Sequence, residues 1–462
     1  MKVLIVNSPL FRETNLLYDE DSLPPLGLGY IASELQRRGI EVQLIDAVDQ
    51  RIPLVDLVST INYLRPEFLA VNIFTTNRGL VQEVIESISI NTHIIIGGLS
   101  TKDLYKSIFQ WKTSNKIDVV IGDGELICPD IVNDCLAEEP FAISENRRAF
   151  KVDGGSRYFV QDISTVSVNR NFFLNEPVKH PFGFTEANIV TSRGCIYSCT
   201  FCAASRVLNR EFPIRERSKE SIIAELTDIA HRYPKVTSIR VLDDLFLKTK
   251  DSIEKAIEVF SVFPLKWRSM AHVNTFNSVD LKMLESLKNS GCSELFIGIE
   301  SGSPKILREI KKTYNLDVTT SNLARVLQAG IKIKGYFIYG FPGETKQDME
   351  MTYQLAKKLF DVAQEYGSQF RTSVFQYRPY HATAIYNDLV AKGVDLDAQQ
   401  LAPNQELSHL VGRIQFNFHS RNVSEVDLET LHSYIYRTTN LNRAEIFAGI
   451  GPKNQSGQNQ EL

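Results

Sequence analysis

Three cysteines in the run TSRGCIYSCTFCAAS constrain this chain more than any other feature: Cys195, Cys199 and Cys202, spaced C-x3-C-x2-C. Thiolates are soft ligands, and cysteine thiolates are what hold iron–sulfur clusters. Their number matters as much as their spacing. A four-iron cluster has four corners, so three ligands leave one iron open, and an open position separates a reactive metal site from a structural one. The alternatives are a zinc knuckle or three buried free thiols. Structural zinc asks for four ligands, and neither a second C-x2-C pair nor an H-x3-H pair accompanies the motif. Cys128, Cys135 and Cys292 are solitary and read as small buried hydrophobes. With no signal peptide and no even cysteine framework, disulfides are not expected. The expected compartment is reducing cytoplasm, because an exposed iron corner would not survive oxidants.

At 462 residues, with 43% apolar and 23% charged residues, the chain is long enough for two or three globular domains. A formal net charge of -4 offers no basic field for nucleic acid or an anionic membrane. No run approaches the length of a bilayer-crossing helix, so no membrane span is expected. The tail GPKNQSGQNQEL at 451–462 is polar and reads as disordered.

Residues 1–150 alternate short Val/Ile-rich runs with helical segments. VLIVN (3–7), VQLID (42–46), FLAVNIF (68–74), HIIIGG (93–98) and IDVVIG (117–122) read as strands. Such alternation implies an α/β domain with a doubly wound, Rossmann-like parallel sheet, whose ligands lie at the carboxyl ends of the strands. Those ends carry Ser8, Thr75, Gly97, Gly98, Gly122, Gly124 and Glu125. Glycines there let backbone approach a large flat ligand closely. No G-x-G-x-x-G follows the first strand, which argues against a nicotinamide site.

Residues 151–185 read as a linker, with Pro, Gly and aromatics but no helical period. From 186 to 380 a second alternation begins, with strands expected at 188–192, 238–243, 267–271, 294–300, 333–340 and 371–379. Six strand–helix units predict a partial parallel barrel, whose active site belongs at the carboxyl-terminal strand ends. The cysteine loop follows the first of these strands. Residues 381–450 read as helical segments capping the site and selecting the substrate.

The cysteine spacing, with Phe201 before the last cysteine, resembles the signature of the radical S-adenosylmethionine (radical SAM) superfamily. The resemblance implies a [4Fe-4S] cluster on Cys195, Cys199 and Cys202. S-adenosyl-L-methionine on the fourth iron would be cleaved to a 5'-deoxyadenosyl radical. It places Phe201 against the adenine, and Asp243 and Asp244 at an acidic motif contacting the methionine amine. Glu300 and Ser301 fall where relatives contact the ribose or the methionine carboxylate; a helix cap is the bland alternative for Asp244 and Ser301. His272 and Tyr377 end strands and are candidates for catalysis or substrate contact, with plain hydrogen bonding as the alternative for His272.

The order of parts, MKVLIVNSP then PPLGLGYIASELQRRGIEVQLIDA then IDVVIGDGE then the cysteines, resembles the cobalamin-binding class of that superfamily. The resemblance implies cobalamin (B12) on the strand ends listed above. It departs from the cobalamin pattern in lacking D-x-H-x-x-G, and a domain that keeps the fold without cobalamin stays open. The implied function is cobalamin-dependent C-methylation of an unactivated carbon in secondary-metabolite or lipid biosynthesis. The alternative is cobalamin-independent deoxygenation, dehydration, epimerisation or ring formation on a sugar-like substrate. The implied partners are a small-molecule substrate and an electron donor such as flavodoxin or ferredoxin.

Overall fold

The computed structural model describes residues 2–8, 23–180, 183–312, 315–396 and 421–441. Two seven-stranded sheets and a short ribbon make up its β structure. The first sheet contains β1 (Val3–Asn7), β2 (Val42–Asp46), β3 (Phe68–Asn72), β4 (His93–Gly97), β5 (Ile117–Gly122), β6 (Ala142–Ser144) and β7 (Arg147–Val152). Their order is β2-β1-β3-β4-β5-β7-β6, parallel except for the β6–β7 hairpin at one edge. The two-residue period of a strand sends Leu4, Ile94 and Val119 to one face and Val3, Ile95 and Val120 to the other. Both faces are covered, which is why the strands read as unbroken apolar runs. Strand order reverses between β1 and β3, the switch point at which such sheets bind ligands.

β6 and β7 were not expected. They arise from a charged run in which Asp118 of β5 takes the guanidinium of Arg148 of β7 through bonds of 2.8 and 2.6 Å. The sheet thereby continues past residue 150 to Val152. The segment expected to link the domains is packed: Val160, Ile163, Val166 and Phe173 bury against Leu26 and Tyr30, with Val190 and Leu242 alongside.

The second sheet contains β8 (Val178–Lys179), β9 (Thr185–Ile189), β12 (Ser238–Val241), β13 (Lys266–Ala271), β14 (Cys292–Glu300), β15 (Lys332–Tyr339) and β16 (Phe370–Gln376). Between β9 and β12, β10 (Ser192–Arg193) and β11 (Arg215–Glu216) pair as an antiparallel ribbon at the base of the cysteine loop. The sheet order is β16-β15-β14-β13-β12-β9-β8. Six strands are parallel and form a half barrel, with the short β8 antiparallel at its edge. Helices cover its outer face, and their starts are set by local chemistry. Ser218 accepts from the N–H of Ser221, and Thr249 and Thr345 form reciprocal capping boxes. Trp267 stacks on Phe260 at 4.7 Å within this outer core.

The inner face is charged. Arg268 holds Glu186 through bonds of 2.6 and 2.7 Å and reaches Glu294 at 3.1 Å, while Arg371 holds Glu294 at 2.6 and 2.8 Å. Paired forks of this kind satisfy buried carboxylates and floor the lumen.

The helix Leu428–Thr439 lies in the outer layer, with Leu431 and Ile435 buried against the barrel core and Tyr434 stacked with Tyr339. The expected cap over 381–450 does not include this helix, whose apolar stripe follows the apolar outer surface of β15 and β16. The helix Ala384–Ala391, by contrast, packs on the cysteine loop, its Ile385 N–H donating to the Thr200 carbonyl at 3.3 Å. Residues 397–420 and 442–462, including the tail expected to be disordered, lie outside the described residues. No described helix is long and apolar enough to cross a membrane. Cys128 and Cys292 are buried as expected, but Cys135, which follows the left-handed Asp134, is exposed.

Candidate active site

The start of the cysteine loop is fixed by two adjacent aspartates that follow β12. Asp243 accepts the N–H and hydroxyl of Thr191, each at 2.6 Å, and the hydroxyl of Ser192 at 2.7 Å. It is an internal clamp, and not the cofactor contact expected of it. Asp244 accepts the Gly194 N–H at 2.9 Å and lines a cavity beside Cys195.

Cys199 is buried, and Cys195 and Cys202 are half-buried. Burial pushes all three thiols up, Cys202 to about 12. The Tyr197 N–H points at Cys195 Sγ from 3.5 Å. A coordinated thiol is deprotonated outright, so this loop must shed protons when it takes metal.

A buried cation faces these thiols. Lys312 Nζ lies 3.1 Å from Glu300 Oε1. Burial works against its charge, but Glu300, and Cys199 and Cys202 as thiolates, outweigh that and push its pKa up. Glu300 reaches this position through a break in register between β14 and β15 and a left-handed backbone, φ 65°. Such bulges re-aim side chains beside sites. Gly298 supplies the room, since a Cβ there would come within 2.2 Å of Glu300 Oε1.

His272 stacks on Tyr197 with ring centroids 3.7 Å apart. The Asn274 N–H donates to its Nδ1 at 3.1 Å, which leaves the imidazole proton on Nε2. Burial and then Lys312 push its pKa down to about 2. At neutral pH His272 is therefore a fixed neutral donor rather than an acid–base group. Tyr377 is buried and packs on Phe341 at 5.0 Å, which in turn meets Phe201 edge-on at 5.6 Å. Ser301 is fully buried and spends its hydroxyl on Thr352 and the Ser303 N–H, so it stands away from the cavity walls.

Two cavities meet here. One, of about 430 Å³, lies on the carboxyl ends of the first sheet. The other, of about 440 Å³, lies between those ends and the cysteine loop. Gly27, Gly98, Gly122, Asp123 and Arg193 line both. Gly97, Gly124 and Glu125 also line the first, along with Asn7, Tyr30 and Asn72. An added Cβ at Gly27 or Gly97 would meet nothing within 4 Å, so these two glycines keep the cradle open.

Ser8 and Thr75 are not in the described walls. Ser8 is buried and bonds twice to Asn72, at 2.9 and 2.8 Å, which ties β1 to β3. Thr75 meets His381 Nδ1 at 3.0 Å, a contact that crosses to the loop after β16. Glu125 is bonded to Arg193 as well as lining the cavity. Sequence reasoning placed Asp123 only as part of the strand end Gly122–Glu125, and it missed Lys312 and Arg193. The last adjoins the cysteine motif, and that adjacency was its only signal.

A model of the radical SAM superfamily matches residues 189–356, and one of the B12 binding domain matches residues 16–132. The chain carries a radical SAM domain preceded by a B12 binding domain. An uncharacterised methyltransferase of Pyrococcus horikoshii is 27% identical over 79% of this chain and 80% of its own length. Cytidylyl-2-hydroxyethylphosphonate methyltransferase of Streptomyces wedmorensis is 22% identical over 91% of this chain and 90% of its own. The cobalamin-dependent S-adenosylmethionine radical enzyme OxsB shares the fold with TM-score 0.66 and 16% identity; the alignment covers 92% of this chain and 64% of OxsB.

This radical SAM protein is an enzyme whose cofactors are a [4Fe-4S] cluster, S-adenosylmethionine and cobalamin. Its residues fit them. The cysteine loop offers one thiolate to each of three irons of a four-iron cluster, with Cys199 buried and Cys195 and Cys202 half-buried. The glycine cradle at the switch point suits a broad flat ring.

Proposed function

We propose that this enzyme is a cobalamin-dependent methyltransferase acting on an unactivated carbon of a small molecule in secondary-metabolite or lipid biosynthesis. The observation that carries this reading is the pair of cavities sharing one wall, which lets a group on the first sheet face one on the cysteine loop. The methyltransferase names of the Pyrococcus and Streptomyces relatives support it. When bound, the cluster supplies one electron for cleaving S-adenosylmethionine, and cobalamin carries a methyl group.

The chain's own residues bind and orient. Cys195, Cys199 and Cys202 would hold three irons of the cluster and leave one open to S-adenosylmethionine through its methionine amine and carboxylate. Asp244 offers an acceptor to that amine, and Lys312 and His272 offer donors to the carboxylate or ribose. Phe201, Phe341 and Tyr377 keep water from one side. A flavodoxin or ferredoxin supplies the electron.

Anaerobically reconstituted protein should bind one cobalamin and, with a reductant and S-adenosylmethionine deuterated in its methyl group, place the label on a metabolite from the source organism. Mass spectrometry reads both. Failure to bind cobalamin would overturn the reading. Deoxyadenosine formed without methyl transfer would instead favour deoxygenation, dehydration, epimerisation or ring formation.

A further inference from the structure

We propose that Asp123 is a positioning residue that couples the two cofactor sites, so that a filled cluster site tightens cobalamin binding. The ribbon at the base of the cysteine loop pairs Arg193 directly with Arg215. Like charges placed opposite one another destabilise a strand pair. Here both guanidinium groups turn to the end of β5 in the other domain. Arg193 Nη1 donates to Asp123 Oδ1 at 3.0 Å, and its Nη2 donates to Glu125. Arg215 forks onto the same Asp123, with Nη1 on Oδ2 and Nη2 3.2 Å from Oδ1. Two ribbon cations are thus neutralised by two strand-end anions, and the carboxylates are nearly out of contact with water, 9% and 4% exposed. At such depth, loss of a partner leaves a charge that solvent cannot repair.

The same strand end forms the cobalamin cradle. Asp123 lies between Gly122 and Gly124, and all three line the first cavity. The strand end cannot retreat from a ligand. A Cβ on Gly122, whose φ is 105°, would come within 2.2 Å of the Val152 carbonyl and 2.8 Å of the Phe212 ring. Phe212 itself belongs to the segment between Cys202 and β11. Cobalamin settling on Gly122–Glu125 sets the position of Asp123, and Asp123 sets the ribbon that presents Cys195. By linkage, an ordered cluster loop returns the same free energy to cobalamin.

The inference needs the two cofactors but not methyl transfer. The cobalamin dissociation constant is measured by equilibrium dialysis on iron-free and on anaerobically reconstituted protein. The reconstituted form should bind at least about fivefold tighter, the lower end of ordinary coupling. Asp123→Asn should bring that ratio to about one, and Asp123→Glu should restore part of it. Equal affinities in the unaltered protein would overturn the proposal even if Asp123→Asn fails to fold, as would a ratio that survives in Asp123→Asn. A failed methyl-transfer assay would leave both measurements intact.

Discussion

Lys312 and Glu300 hold opposite charges where burial works against either one alone. Removing one member of a buried pair costs about 3–5 kcal/mol, because the remaining charge has no counter-ion. Lys312→Met is expected to lower the unfolding free energy by about 3 kcal/mol, and Lys312→Met with Glu300→Gln to recover most of that. Urea titrations of the iron-free variants check it; equal losses would show that the two groups do not act as a pair. His272 carries a pH prediction. Its folded pKa of about 2 lies far below the usual 6.5, so on acidification the unfolded chain takes up this proton first. Stability therefore falls as pH drops through 6.5, by about 2 kcal/mol between pH 7 and pH 5. His272→Gln in iron-free protein should flatten that part of the profile, and an unchanged slope would mean that His272 titrates in the fold as it does in the unfolded chain. Strand-end residues such as His272, Glu300 and Asp244 were legible because a parallel barrel puts its chemistry there. Lys312 was not, since KKTYN reads as a solvated turn and only the bulge at Glu300 shows what it meets. Nor does sequence tell which of two neighbouring aspartates turns inward, and it was Asp243 that did.

Strands and turns were legible to the degree that one local force dominated. β1 to β5 announce themselves through the apolar runs that two covering layers require. β12 to β16 do so through apolar residues alternating with the charged ones of the lumen, such as Arg268, Glu294 and Arg371. β7 does not, because its stability comes from Arg148 on Asp118, a partner thirty residues away. The two-residue ribbon is too short for any period, yet it is the element that closes the cysteine loop. The glycines at the strand ends divide into two kinds that sequence cannot separate. Gly122 is forced by its backbone and by the Val152 carbonyl behind it, whereas Gly97 faces open cavity. Gly122→Ala should thus cost about 2–3 kcal/mol of stability. Gly97→Ala should leave the melting temperature within a degree or two and weaken cobalamin binding, because its methyl enters the cradle. Thermal melts beside dialysis separate the two. A Gly97→Ala protein that binds cobalamin as before would place the corrin elsewhere.

The two sheets would ordinarily be expected to behave as separate domains, since contacts within a chain of this length are usually modest and mobile. Three features argue otherwise. The apolar cluster of Tyr30, Val166 and Phe173 bridges them through the packed segment between the sheets. Lys102 of the first domain holds the Leu208 carbonyl at 2.6 Å and Glu211 at 2.5 Å, both beyond the last cysteine. Arg215 lies 3.9 Å over the ring of Phe159 while it reaches Asp123. The chain also has its own reporters, because only two tryptophans occur and each lies in a different core: Trp111 in the first sheet and Trp267 in the second. A ligand that binds only the folded state stabilises by about 2.7 kcal/mol at a hundred times its dissociation constant. In Trp111→Phe, the fluorescence of Trp267 reports unfolding of the half barrel alone. If the sheets unfold as one body, cobalamin seated on the first sheet must raise the Trp267 midpoint as much as it raises the Trp111 midpoint in Trp267→Phe. A rise confined to Trp111 would mean that the half barrel can melt beneath a loaded cobalamin domain, and that the joint at Asp123 holds only while both sides are folded.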